Sequence, residues 1–513
     1  MSGATLERRL ANYRAALRTG PSGEAPTSSL PGDRTDGRSG RGSIALAERL
    51  AAALDGELVL DPAGPVVRCE PTTLVLPLDR ERLRGLPGQP PAGAPLVCLD
   101  TETTGLATAA GTVAFLVGLG WWEGDRFRQV QLLLPDHPAE PGLLARVAAH
   151  IPADAWLVTY NGRGFDWPLL VARYRMARQD PPPLAGHLDL LPFVRRVFRH
   201  RMTDARLRTV ETELLGTVRH GDVDGWQIPG LYLDFLRGGE AWPLVDVLRH
   251  NREDVRSLAR LLGKIDVEYA DPVARTSAPR GDLAGLARHF ARDRRLDEAL
   301  DCLDAALARD PATADLPDGT ADGEPDLDPD PADAWWSPRR PADIGGRARR
   351  RSWASVTTGR LDTPWTEERI VIERGRLLRR LGRYEEAIAA WLDLATGPGS
   401  VAVQAWIEVA KLREHRLADL AGALDAARRA ATIAERRRRL GLGDPVVDGA
   451  LATRLSRIAR RMAQVRAAAP ALTDPTSGKR GSGSIASQVL RTRSRSGSNE
   501  QAIVRRSPAS ALR

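Results

Sequence analysis

Residues 96–105, Leu-Val-Cys-Leu-Asp-Thr-Glu-Thr-Thr-Gly, constrain this chain more than any other stretch. The apolar run predicts a buried strand, and the strand ends by presenting two carboxylates, Asp100 and Glu102, just before a Thr-Thr-Gly turn. Alternate residues of a strand share a face, so the two acids stand side by side. Like charges that close repel unless a cation lies between them, and oxygen ligands in that arrangement suit a hard divalent ion such as Mg²⁺ or Mn²⁺. An ordinary polar strand end would look the same. The pair gains meaning only in company with acids from later in the chain.

The chain of 513 residues exceeds what one hydrophobic core usually supports, which predicts two or more domains. No apolar run is long enough to span a bilayer, and the N-terminus lacks the apolar core of a secretory signal, so a cytoplasmic protein without a membrane partner is expected. Cys69, Cys98 and Cys302 have neither metal nor redox spacing, which argues against a zinc or disulfide framework. The formal charge of +8 suggests nucleic acid, but residues 471–513 carry +6 of it and residues 1–44 carry +3. The basicity belongs to the tails. It does not by itself argue for a basic groove on a folded domain.

Residues 1–44 pass into a Gly/Ser/Pro/Asp/Arg stretch that predicts a disordered leader. Residues 45–94 read as an accessory lead-in and linker, with a helix over 45–54 and strand-like runs at 57–60 and 73–77. Over 95–268 the pattern runs strand (96–102), strand (112–122), strand (127–134), helix (141–151) and strand (155–160). Helices follow at 167–178, 189–199, 207–215, 231–237 and 242–262. Strands first, then a strand flanked by helices, is the order of an α/β layer with a mixed sheet. Beyond about residue 280 the chain is helical only. Gly375 lies twelve residues before Ala387, at tetratricopeptide spacing, with Trp391 following. Ala287, Ala299, Ala306 and Pro311 repeat that register, and Ala410, Ala423 and Ala430 make a third, poorer copy. This predicts tetratricopeptide-like helices over 280–310 and 365–470; an irregular bundle is the alternative. Residues 311–364, acidic then basic, read as a flexible insert. Residues 471–513 read as a disordered basic tail able to touch nucleic acid.

Two further segments join the opening strand. In Tyr160-Asn-Gly-Arg-Gly-Phe-Asp166, the Asn161 turn delivers Asp166 near the strand edge, although Asp is also a common helix N-cap. In His250-Asn-Arg-Glu-Asp254, His250 and Asp254 are four residues apart and share one helical face. The order and spacing of the three segments resemble the DEDD family of 3′-to-5′ exonucleases on the RNase H-like fold. That family's motifs are Asp-x-Glu-Thr-Thr-Gly, Asn-Gly-x-x-Phe-Asp and a late-helix His-Asn-x-x-Asp. Within it, the chain resembles the YprB-type bacterial proteins, which join such a domain to tetratricopeptide-like helices. In the best-known members the last Asp follows a Tyr with three residues between them, or a His with four. Here His250 stands at the tyrosine-type spacing.

The resemblance implies an α/β RNase H-like nuclease domain followed by an all-α domain. Displacing the 3′ oxygen of a phosphodiester with water needs charge neutralisation and a nucleophile at neutral pH, which two divalent ions supply. Asp100, Glu102, Asp166 and Asp254 would hold two Mg²⁺ or Mn²⁺, and the imidazole of His250 would take the proton of the attacking water. Thr101, Thr103, Thr104 and Gly105 would line the 3′-terminal nucleotide of single-stranded DNA or RNA. Asn161 is counted with them, although holding the turn is its first duty. Arg195, Arg196, Arg199 and Arg201, with Phe198 among them, either contact the phosphate backbone or form a solvated helix face. The repeats would offer a surface to a protein partner or nucleic acid. The competing function is a catalytically silent scaffold that binds nucleic acid or protein.

Overall fold

The computed structural model describes residues 36–105, 111–309, 365–397 and 399–468. Helix α1 (Asp36–Leu54) comes first, followed by strands β1 (Glu57–Asp61), β2 (Gly64–Cys69) and β3 (Leu74–Val75) and the short helix α2 (Arg80–Leu83). Next are β4 (Leu96–Thr103), β5 (Ala114–Glu123), β6 (Arg126–Leu133), α3 (Glu140–Ala149), β7 (Trp156–Thr159), α4 (Asp166–Met176) and β8 (Gly186–Asp189). Four helices complete this layer: α5 (Leu191–Val197), α6 (Leu207–Glu213), α7 (Ile228–Leu236) and α8 (Leu244–Ile265). The strands form one mixed sheet in the order β1-β2-β6-β5-β4-β7-β8, with β3 also paired to β6.

The structure differs from the sequence reading at the N-terminal side. The lead-in does not stand apart, because β1 pairs with β2 and β2 with β6, so the sheet begins well before residue 95. Without them β6 would present a row of unpaired backbone groups. The expected leader also ends sooner, since residues 36–44 are already helical. Ser43 is buried there and donates to Asp136 Oδ2 at 2.6 Å. The rest of the leader, the whole of the insert with Pro311, and all of the tail lie outside the described residues.

Strand β4 owes its central place to being buried on both faces. Leu96 and Cys98 join one apolar cluster with α5 and the C-terminal half of α8, while Val97 and Leu99 join another with α1, α3, α4 and α7. It pairs antiparallel with β5 along nearly its whole length, but parallel with β7 only over residues 96–98. Past Cys98 the strand runs on with no neighbour on the β7 side among the described residues. The crevice so formed lies where the strand direction reverses, a place where α/β sheets put ligands. Gly118 and Gly120 of β5 let α8 lie close across the sheet: a Cβ at Gly118 would come within 2.3 Å of Asn251 Oδ1, and one at Gly120 within 2.9 Å of Val255.

The helix-rich C-terminal region begins with α9 (Arg280–Arg292) and α10 (Leu296–Ala308) and resumes with α11 (Glu367–Leu381) and α12 (Tyr384–Leu394). Helices α13 (Ser400–His415), α14 (Leu420–Arg439) and α15 (Pro445–Ala468) follow. Helices α9 and α10, α11 and α12, and α13 and α14 pack as pairs, and α10 lies on α11 and α12 on α13, a stacking consistent with tetratricopeptide-like units. The small residues expected at the close-packing positions, Ala287, Ala299, Ala306, Ala387, Ala410, Ala423 and Ala430, are all buried. Gly375 faces the Trp391 ring so closely that a Cβ would come within 2.8 Å of it. Residues 36–458 belong to one compact unit, and residues 459–468, the last described, continue α15.

Candidate active site

Three elements bring the four acids to the crevice. Asp100 and Glu102 lie on β4, Asp166 is the first residue of α4, and Asp254 lies in the middle of α8. Asp166 is not spent on capping, because Phe165 holds the N-cap position. Its carboxylate instead accepts from Thr101 Oγ1 at 2.5 Å. Asp100 is fixed by Asn251, whose Nδ2 donates to Asp100 Oδ2 at 2.8 Å. Asn251 is fully buried, and its Oδ1 accepts from Gln131 Nε2 at 2.9 Å. Gln131 Nε2 also donates to the Leu248 carbonyl at 2.8 Å, so β6 anchors α8 at the level of the site.

The acids act on one another. Burial, then the charges of Asp254, Glu102 and Asp166, hold the Asp100 carboxyl well above the usual carboxylate range, with the Asn251 amide opposing. Glu102 is likewise held well up by burial and by Asp254, Asp166 and Asp222, against the pull of Arg219. Burial raises Asp166 too, although hydrogen bonds from Thr101 and the backbone counter it. Such mutual destabilisation of the charged forms is relieved by a cation, and an all-oxygen donor set fits a hard divalent ion. As placed, the acids do not form a closed cage: among the described residues no three His, Cys, Asp or Glu groups stand together tightly enough to hold an ion. A charged side chain already engages one of them. Arg219 Nη2 donates to Asp254 Oδ1 and to Glu211 Oε1.

His250 lies beside Asp254, with Nε2 3.6 Å from Asp254 Oδ2, and its Nδ1 is 2.9 Å from Asp222 Oδ1. A carboxylate on Nδ1 takes that nitrogen's proton in a hydrogen bond and leaves Nε2 as the acceptor of a neutral ring. Sequence reasoning missed Gln131, Arg219 and Asp222, and it gave Asn251 no role although it lies inside the third motif. Arg219 and Asp222 lie in the irregular segment between α6 and α7, where no periodicity or spacing marks them.

The expected substrate-side residues are partly committed elsewhere. Thr103 Oγ1 donates to the Gly105 carbonyl at 2.7 Å, and Thr104 Oγ1 accepts from the Val113 amide at 3.0 Å. Asn161 has φ of +66° and donates its amide to Asp189 Oδ1 at 2.8 Å, so it holds the turn. The basic stretch on α5 and after it, expected either to contact phosphate or to form a solvated helix face, is largely engaged within the fold. Arg201 donates to Asp282 Oδ1 and Oδ2 at 3.0 and 2.8 Å, Arg196 bonds His289, Arg199 bonds two carbonyls, and Phe198 is fully buried. Only Arg195 of the four is exposed. Arg196 and Arg201 tie the sheet layer to α9.

Residues 97–266 match the RNase_H superfamily. The chain is also 35% identical over 218 residues to the uncharacterized protein YprB of Bacillus subtilis (strain 168), an alignment covering 42% of this chain and 52% of YprB. It thus spans about half the length of that relative. Residues 97–266, which run from β4 through α8, thus form an RNase H-like fold, whose kinship is with nucleic-acid hydrolases. Among the described residues no helix is long and apolar enough to cross a membrane.

Proposed function

With an RNase H-like domain as premise, we propose that this chain hydrolyses phosphodiester bonds of single-stranded DNA or RNA from the 3′ end, with two Mg²⁺ or Mn²⁺ ions held by Asp100, Glu102, Asp166 and Asp254. The observation that carries the reading is that four acids, distant in sequence, sit in one crevice, where burial and the neighbouring carboxylates hold Asp100 and Glu102 high and burial raises Asp166. Divalent ions held there would supply positive charge against the phosphate and lower the cost of deprotonating water at neutral pH.

The chain's own side chains do the rest. Asn251 and Thr101 fix the angles of Asp100 and Asp166. Asp222 orients the His250 ring, and Nε2 takes a proton from the attacking water. The backbone at Thr101 and the turn through Thr103, Thr104 and Gly105 line the terminal nucleotide. The 3′-to-5′ direction rests on the DEDD resemblance. The stacked helices extend the surface available to a nucleic-acid strand or a protein partner.

An end-labelled oligonucleotide, offered as DNA and as RNA with Mn²⁺ or Mg²⁺, tests this. Stepwise shortening from the 3′ end is expected, abolished by EDTA and in Asp100→Ala; cleavage undiminished in that variant would sink the assignment. One observation favours the silent scaffold, namely the guanidinium on Asp254. That reading requires the wild-type protein to leave the oligonucleotide intact.

A further inference from the structure

We propose that Arg219 is a displaceable counter-ion of Asp254, a built-in competitor that divalent cations must dislodge and that sets how tightly this site takes them. The inference rests on the metal-dependent reading above and adds a residue that no motif contains.

Arg219 is 9% exposed and lies among three acids whose side chains are 1% (Glu211), 5% (Asp222) and 18% (Asp254) exposed. Removing a buried cation's partner is costly, and so is leaving a buried carboxylate bare. The guanidinium therefore answers the surplus negative charge of the crevice, and its field opposes the rise at Glu102. Yet its grip on Asp254 is not the two-pronged fork that makes arginine pairs strong. One nitrogen, Nη2, is shared between Glu211 and Asp254, and Nη1 reaches toward Asp222 Oδ2 and the His250 carbonyl, each at 3.4 Å. Arg219 Nε and Glu211 Oε2 are buried with no hydrogen-bond partner among the described residues.

A better arrangement is therefore open to it. If Arg219 leaves Asp254, Glu211 and Asp222 remain as partners, and the bare Glu211 Oε2 and Nε can be satisfied. Glu211 is itself anchored by Ser257 of α8, so the retreat position is fixed. Displacement then costs the arginine little, while Asp254 gains two free oxygens for a cation.

The test is calorimetric titration of Mn²⁺ into the full-length protein without substrate. Arg219→Gln should bind Mn²⁺ about tenfold more tightly than wild type, since a competing charge next to the carboxylates is gone. Equal or weaker binding in a variant with wild-type circular dichroism overturns the proposal and makes Arg219 a residue that positions Asp254. Should Arg219→Gln not fold, Arg219→Lys decides. Lysine keeps the charge but has a shorter reach and no planar fork with which to hold the three acids at once, so a smaller tightening is expected, and unchanged affinity refutes the idea. Asp100→Ala separates the two claims. If wild type binds and Asp100→Ala does not, the site stands whatever Arg219 does; if neither wild type nor the Arg219 variants bind, both claims fall.

Discussion

His250 and Asp222 form the pair on which the proposed proton transfer depends. Asp222→Asn keeps the shape but offers an amide, whose NH₂ can face Nδ1 only if the ring adopts the other tautomer, with Nε2 protonated. Turnover of the oligonucleotide is expected to fall about a hundredfold, with KM little changed. A proportional loss in KM would instead mean that Asp222 merely supports the fold. Asn251 works differently, because it bonds Asp100 and Gln131 at once in a dry place. Asn251→Ala takes the amide donor from the buried Asp100 carboxylate and leaves Gln131 only the Leu248 carbonyl, which costs about 1–3 kcal/mol. A matching drop in unfolding free energy in urea is the check, and a neutral result would show that water replaces the amide. The carboxylates and His250 were legible as residues because their motifs have fixed spacing on elements with strong local patterns. Asp222 and Arg219 were not. They reach the site from an irregular segment, and their partners lie 28 and 35 positions away in sequence.

At the level of elements, β4, β5 and α8 form one device in which the carboxylates of β4 meet Asp254 only if α8 can lie close to the sheet. Gly118 makes that possible, since it pairs with Asp100 across the ladder and faces Asn251 and Val255. Gly118→Ala is therefore expected to lower stability by about 1–3 kcal/mol, as overpacking does, and to weaken Mn²⁺ binding by pushing Asn251 off Asp100. Wild-type Mn²⁺ affinity in this variant would mean that α8 has slack the structure does not suggest. The strands and helices that carry the site were read within a few residues of their ends, for each has a clean apolar pattern. Strand β2 was missed because it opens on Gly64 and Pro65, and β8 because Gly186–Asp189 is short and half polar. Neither has local preference enough to announce itself. Their pairing across the sheet, a non-local interaction, makes them strands. For the same reason a lead-in that looked separable turned out to belong to the sheet.

Across the whole molecule the sheet layer and the first helix pair share an apolar core, in which Phe198, Val197 and Leu261 cluster with Leu283, Leu286 and Phe290. Composition patterns divide the chain near residue 270, but a boundary in pattern is not a boundary in packing, so this continuity was invisible in the sequence. At the seam, His289 of α9 pairs with Arg196 of α5 at 2.8 Å and bonds the Pro87 carbonyl at 3.2 Å. Arginine can only donate, so His289 Nδ1 accepts and Nε2–H faces the carbonyl; protonating the ring would set two donors against each other. Burial first, then Arg196, with Arg292 and Arg295 adding to it, pushes His289 down to about 3, while the Pro87 carbonyl opposes. His187 of β8 is lowered to about 4 by burial and by Arg163, against Asp189. In both cases the unfolded chain takes up the proton more readily than the folded one. The stability they contribute is present above about pH 6.5 and is lost as pH falls toward the folded values. For His289 the loss between pH 7 and pH 4 is about 3 kcal/mol. Asp100 and Glu102, held high, work in the other direction, but they are common to wild type and variant and cancel in the comparison. His289→Gln keeps an acceptor for Arg196 and a donor for Pro87 without a titrating ring. Urea midpoints at pH 7 and pH 4 should therefore converge in the variant relative to wild type, with His187 supplying the remaining acid sensitivity. An equal fall in both proteins would place the acid weakness elsewhere than the seam that joins the RNase H-like domain to its helices.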